Sequence, residues 1–217
     1  MSVHFPEVKA TFIHVPKTGG TSFYQWIDSA GLVYDKQEIN HFTVGSINGA
    51  RQQWGDLGTV FSFVRNPYSR LVSMYHYHYE KARLYVNNPN LINKDDLAMS
   101  FTDYLRVLSV SSRGFDYWLE CIYYGKKELY GKHATRDEVT ISSWFNGEMP
   151  NIIIKTEELN QEFNKIYQLL TDGQCTIPLP WINTSNHKSY QEYYNSKSKQ
   201  WVADQFKDDL ELFDYTF

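Results

Sequence analysis

Three times in this sequence a short run of β-branched and aromatic residues stops at a turn and gives way to apolar residues at helical spacing. The first run, Ala-Thr-Phe-Ile-His-Val at residues 10–15, ends at Pro16. After Gly19 and Gly20, the side chains of Phe23, Trp26, Ile27 and Ala30 fall on one helical face; Thr21 or Ser22 can cap its start and Gly31 can end it. The second run, residues 59–64, leads into Arg65-Asn66-Pro67 and a helix predicted over residues 68–83, with Pro67 suited to the first helical position. The third, residues 151–155, precedes a helical stripe of Leu159, Phe163, Ile166 and Leu170. Strands separated by helices cannot pair as tight hairpins. They pair by crossing back over the sheet, which dictates a mostly parallel sheet with helices packed on its faces.

A chain of 217 residues can bury one substantial core, and a single domain over residues 1–217 is expected. Between the three units lie a polar stretch (86–100), helical segments near 101–108 and 116–124, and a loop (171–186) carrying Pro178 and Pro180; none is biased enough for an interdomain linker. Val202, Phe206, Leu210 and Phe213 predict a closing amphipathic helix docked on the core. The apolar runs fall far short of the roughly 20 residues a membrane span needs. The first residues have neither a basic nor an apolar signal region, so a cytoplasmic setting is expected. Cys121 and Cys175 lack redox or zinc spacing and are read as free thiols. A formal charge of −4 argues against general nucleic-acid binding, so an anionic ligand must be held by a local site.

Residues 16–22, Pro-Lys-Thr-Gly-Gly-Thr-Ser, sit where such a site can form. Glycines between a strand and a helix let backbone approach a phosphate or sulfate, and the helix start adds N–H groups and partial positive charge. Lys17 contributes a full charge, and Thr18, Thr21 and Ser22 contribute hydroxyl donors. By itself this is also what an ordinary strand-to-helix turn looks like. It is not a Walker A loop, because Lys17 precedes the glycines, and Gly125-Lys126 and Gly131-Lys132 lack the following hydroxyl and the upstream glycine. Arg65 is placed at the carboxyl edge of the sheet, where open α/β folds bind ligands and where a guanidinium can grip a phosphate through two hydrogen bonds. A surface salt bridge is the alternative for Arg65, and Arg70 reads as structural.

The loop at residues 16–22 resembles the 5′-phosphosulfate loop of sulfotransferases that use 3′-phosphoadenosine-5′-phosphosulfate (PAPS). Residues 63–75, Phe-Val-Arg-Asn-Pro-Tyr-Ser-Arg-Leu-Val-Ser-Met-Tyr, are similar to the family's 3′-phosphate motif, an arginine at a strand end and a serine two turns into the next helix. Asn40-His41-Phe42-Thr43 is similar to the short histidine motif of the carbohydrate-type branch, sulfotransferase family 2. Residues 179–188 with Tyr193 and Tyr194, and residues 208–217, resemble the family's late loop and closing helix. The resemblance runs from about residue 10 to the end but gives no motif over residues 86–150, where acceptor selection is expected.

The resemblance implies a P-loop nucleotide-kinase-like three-layer α/β sandwich with a central parallel sheet. It implies PAPS as donor and 3′-phosphoadenosine-5′-phosphate (PAP) as product, with Lys17 to Ser22 on the 5′-phosphosulfate and Arg65 and Ser73 on the 3′-phosphate. Lys17 and His41 take catalytic roles, His41 as base toward an acceptor hydroxyl on a saccharide, with Glu38 in reserve; an unperturbed imidazole is largely neutral near pH 7 and can accept a proton. His187 and Lys188 belong either to a loop over the nucleotide or to a solvated loop. No metal is expected: His76 and His78 point to different helix faces, and His76 with Glu80 reads as a surface hydrogen bond. Two other readings stay open, an atypical phosphotransferase that needs Mg²⁺ and a triphosphate, and a non-catalytic nucleotide-binding module.

Overall fold

The computed structural model of the chain describes residues 2–36, 46–91, 100–123, 140–173, 177–180 and 188–217. They form two compact units, Met1–Asn66 with Thr140–Thr184 and Glu211–Tyr215, and Pro67–Val139 with Ser185–Leu210 and the last two residues.

The first unit holds a five-stranded sheet built from β1 (Val3–Phe5), β2 (Ala10–Ile13), β3 (Asp35–Lys36), β4 (Thr59–Val64) and β5 (Ile152–Lys155), in the spatial order β3-β1-β2-β4-β5. The three strands expected from the sequence, β2, β4 and β5, are neighbours and run parallel, with Ile13 opposite Ser62 and Val64 opposite Lys155. The other two strands add an antiparallel edge. Only a short turn, closed by the Lys9 N–H on the Pro6 carbonyl at 3.4 Å, separates β1 from β2. A connection that short permits only antiparallel pairing.

Side chains alternate between the two faces of this sheet. Ala10, Phe12, Phe61, Phe63 and Ile154 form one apolar cluster with Phe23, Trp26 and Ile27 of α1 (Gly20–Ser29) and Ile166 and Leu170 of α8 (Asn164–Thr171). Ile13, Val15, Val60 and Val64 form another with Ile47 and Ala50 of α2 (Ile47–Trp54) and Ile141, Trp144 and Phe145 of α6 (Ile141–Phe145). Because the strand period is two, burying both faces demands apolar residues at successive positions, and β2 and β4 supply them. The result is a three-layer α/β unit with the parallel strands at its centre.

Helix boundaries correct the sequence reading in two places. The stripe after β5 is not one helix but two, α7 (Leu159–Glu162) and α8, with Phe163 between them; all four stripe residues are nevertheless buried. The closing helix is likewise divided at Phe206 into α9 (Ser196–Gln205) and α10 (Lys207–Leu212). Its stripe serves two cores: Val202 and Phe206 belong to the second unit's cluster, Phe213 to the first unit's. Spacing reports which residues are buried, not whether the backbone between them is continuous.

The second unit is helical. Its main element is α3 (Pro67–Asn87), which begins at Pro67 as expected, joined by α4 (Phe101–Ser111), α5 (Phe115–Tyr123) and α9. Leu71, Val72, Met74, Tyr104, Val107, Trp118, Val202 and Phe206 make its core. Among the described residues no helix is long and apolar enough to cross a membrane. Cys121 is free and buried, whereas Cys175 lies outside the described residues.

Candidate active site

Parallel pairing of β2, β4 and β5 puts their carboxyl ends on one edge of the sheet. The turn that begins at Pro16 follows the first of these ends after His14 and Val15, Arg65 leaves the second and Thr156 the third.

The turn from β2 into α1 has two left-handed residues, Lys17 at φ 68° and Gly19 at φ 100°. Glycine adopts this region freely, but for lysine it costs roughly 1–2 kcal/mol, a strain that must be held by the surroundings. Thr18, fully buried, donates its hydroxyl to the Val15 carbonyl at 2.8 Å. Its own carbonyl lies 2.8 Å from the Thr156 hydroxyl. A Cβ on Gly19 would come within 3.2 Å of Leu159 Cδ2, and one on Gly20 within 2.1 Å of His14 Nε2, so the turn runs close against its neighbours.

The start of α1 differs from the sequence expectation. Neither Thr21 nor Ser22 is the N-cap: the helix begins at Gly20 and its N-cap is Gly19, which has no side chain to make a capping bond. The left-handed conformation open to Gly19 lets the helix start there, which places Thr21 and Ser22 within the first turn. Thr21 is exposed and Ser22 buried, and no acidic residue stands in that first turn. No carboxylate within that turn offsets the partial positive charge of the helix start.

Arg65 leaves β4 half-buried and donates through Nη1 to the Lys17 carbonyl at 3.3 Å. Two cationic residues thus share one edge, the backbone of one bonded to the side chain of the other. Behind them stands Glu157, which sequence reasoning did not single out. Its carboxylate accepts the Asn66 N–H at 3.0 Å through Oε1 and the Tyr215 hydroxyl at 3.0 Å through Oε2. Burial, then the adjacent Glu157 carboxylate and its hydrogen bond, push the Tyr215 phenol well above its ordinary value, with Arg65 pulling the other way. Thr156 and Glu157 were detectable only as polar residues directly after a buried strand, a weak signal without the pairing of β4 with β5.

The remaining sequence candidates stand as follows. Ser73 lies half-buried on α3, in the second unit. Arg70 is almost fully buried, at 1% exposure. His41, Glu38 and His187 lie outside the described residues, and Lys188 is exposed, 3.8 Å from Glu192. His76 Nε2 pairs with the Tyr193 hydroxyl at 2.8 Å, and Glu80 with Arg83 at 3.1 Å. Among the described residues no cluster of histidine, cysteine or carboxylate side chains fits a metal ion.

Chemically, the edge offers a helix start, a lysine and an arginine to an anion. A family model described as the sulfotransferase family matches residues 3–216, nearly the whole chain. The chain belongs to sulfotransferase family 2. As a sulfotransferase it is a transferase of sulfuryl groups, and the family implies a sulfonate donor and a hydroxyl acceptor. No curated protein and no solved structure gives a match that would narrow these further.

Proposed function

We propose that this sulfotransferase takes its sulfuryl group from PAPS and transfers it to a hydroxyl on a carbohydrate, residues 1–217 acting as one catalytic domain. The observation that carries the donor assignment is the bonded pair of Lys17 and Arg65 beside the start of α1, whose N-cap is Gly19. PAPS carries anionic groups at both its 5′ and 3′ positions, and the residues present fit such a molecule. The 5′-phosphosulfate is assigned to the backbone N–H groups of the turn through Gly19 and Gly20 at the start of α1, with Thr18, Thr21 and Ser22 in the same turn. Arg65 and, from the same sequence motif, Ser73 are assigned the 3′-phosphate, which is what separates this donor from ATP.

When bound, the donor supplies the sulfuryl group, and PAP, a nucleoside 3′,5′-bisphosphate, is the group that leaves. The Lys17 ammonium offsets negative charge that grows on the departing oxygen, the same electrostatic work that lysines perform in phosphoryl transfer. His41 takes the proton from the acceptor hydroxyl. The His41 motif of the carbohydrate-type branch supports the saccharide assignment. Replacement of His41 by Ala should abolish transfer and leave PAP affinity unchanged; if Glu38→Ala does so instead, the base is Glu38.

The deciding measurement is thermal stability with PAP, ATP and AMP, each at the same concentration. Stabilisation by PAP well beyond that by the other two is expected. Equal response to all three removes the 3′-phosphate assignment, and a response only to ATP with Mg²⁺ replaces the donor. An acceptor screen with labelled donor then tests the carbohydrate.

A further inference from the structure

At the exit of β5 two consecutive side chains reach both turns of the candidate site. The Thr156 hydroxyl stands 2.8 Å from the Thr18 carbonyl and 2.9 Å from the Val64 carbonyl. A hydroxyl has one proton, so it is shared between, or alternates between, the turn after β2 and the last residue of β4. Its neighbour Glu157 accepts the Asn66 N–H and the Tyr215 hydroxyl, each at 3.0 Å. The turn bearing Lys17 and the turn bearing Arg65 are thus both fixed from the same dipeptide.

The consequence for an anion follows from peptide geometry. A trans peptide is planar with its C=O and N–H pointing in opposite directions, so holding the Thr18 carbonyl on Thr156 aims the Gly19 N–H the other way. Gly19 is the N-cap of α1, the backbone group nearest the start of the proposed cradle. The same holds for the Val64 carbonyl and the Arg65 N–H. We infer that Thr156 and Glu157 are positioning residues for donor binding, Thr156 by orienting the Thr18–Gly19 and Val64–Arg65 peptides and Glu157 by fixing the Arg65–Asn66 turn. This rests on the donor reading given above.

The test uses Thr156→Val, Thr156→Ser and Glu157→Gln in the full chain, with PAP affinity and amide hydrogen exchange as separate readouts. Valine keeps the methyl group that faces Gly19, which a Cβ there would meet at 3.9 Å, and loses only the hydroxyl. Thr156→Val should weaken PAP binding about 10-fold or more, with faster exchange at Gly19 and Gly20, whereas Thr156→Ser should stay within about 3-fold of the wild type. Glutamine has one accepting oxygen where glutamate has two, so Glu157→Gln should cost an intermediate factor of about 3. PAP affinity in Thr156→Val within about 2-fold of wild type overturns the inference, even if exchange quickens, since the hydroxyl would then be structural only. Loss of affinity in Thr156→Ser equal to that in Thr156→Val also overturns it. Should the wild type itself fail to bind PAP, the donor reading falls, and exchange decides the orienting role by itself: faster at Gly19 and Gly20 in Thr156→Val supports it, unchanged refutes it.

Discussion

The Arg65 guanidinium donates through Nη1 to the main-chain carbonyl of Lys17 at 3.3 Å. One cation therefore helps to shape the turn that presents the other. Truncating Arg65 to Ala should remove both the proposed phosphate ligand and a support of the lysine turn. Charge-assisted hydrogen bonds contribute about 1.5–3 kcal/mol each, so PAP affinity should fall roughly 10- to 100-fold. Arg65→Lys keeps the charge but not the planar fork, and should recover only part of the loss. Calorimetric titration of PAP checks this; unchanged affinity in Arg65→Ala removes the residue from the site.

Gly20 faces a different constraint. Its position 2.1 Å, for an added Cβ, from His14 Nε2 leaves no room for a methyl group unless the imidazole moves. That ring is flanked by Phe12, with centroids 5.9 Å apart, and by Tyr24 at 5.3 Å, so its displacement disturbs an aromatic layer. Gly20→Ala should destabilise the protein by about 1–3 kcal/mol, as overpacked cores do. Adding His14→Ala should return part of that loss, making the pair non-additive. Urea denaturation of the two single variants and the double variant measures the coupling, and strict additivity would mean that the ring yields freely.

Tyr215 gives a pH signature. Its folded-state value lies above the ordinary 10.0 that the unfolded chain retains, chiefly through burial and then through Glu157. The raised value means that its stabilising contribution is complete below about pH 10 and declines as alkali ionises the unfolded phenol but not the folded one. Tyr215→Phe should therefore show a shallower loss of stability than wild type between about pH 8 and about pH 11. Some decline will persist, since burial also raises the Tyr24 phenol. Urea midpoints across that range decide the matter; parallel curves for the two proteins would mean that Tyr215 titrates normally.

Much of the first unit was legible because strands buried on both faces are nearly continuous apolar runs. The runs at residues 10–15 and 59–64 became the inner strands β2 and β4, and the stretch Ile152-Ile153-Ile154 became the outer parallel strand β5. The two antiparallel strands were not legible: Val3–Phe5 is too short for a pattern, and Asp35–Lys36 has only two exposed residues. At the candidate site, Lys17, the glycines and Arg65 stood out through the resemblance of their segments to the family's motifs, since each by itself also has an ordinary structural reading. Thr156 and Glu157 did not, because a threonine or glutamate after a strand is commonplace and their partners lie far along the chain. Contacts such as Glu157 with Asn66 are set by which strands are neighbours, and no local pattern records that.

Lys17 allows strain and chemistry to be separated. Its φ of 68° suits glycine better than any residue with a Cβ, yet the ammonium group is the proposed reason for its presence. Lys17→Ala keeps the Cβ and loses the charge, while Lys17→Gly loses both. The glycine variant should therefore be more stable than the alanine variant by about 1 kcal/mol, less a smaller offset from the greater freedom of its unfolded chain. Both should lose transfer by about 100-fold or more, because neither can offset charge on the departing oxygen. Denaturation midpoints and single-turnover rates from the same preparations test the two effects together. A glycine variant that is stable and fully active would show that the backbone conformation, rather than the ammonium group, is what this position contributes.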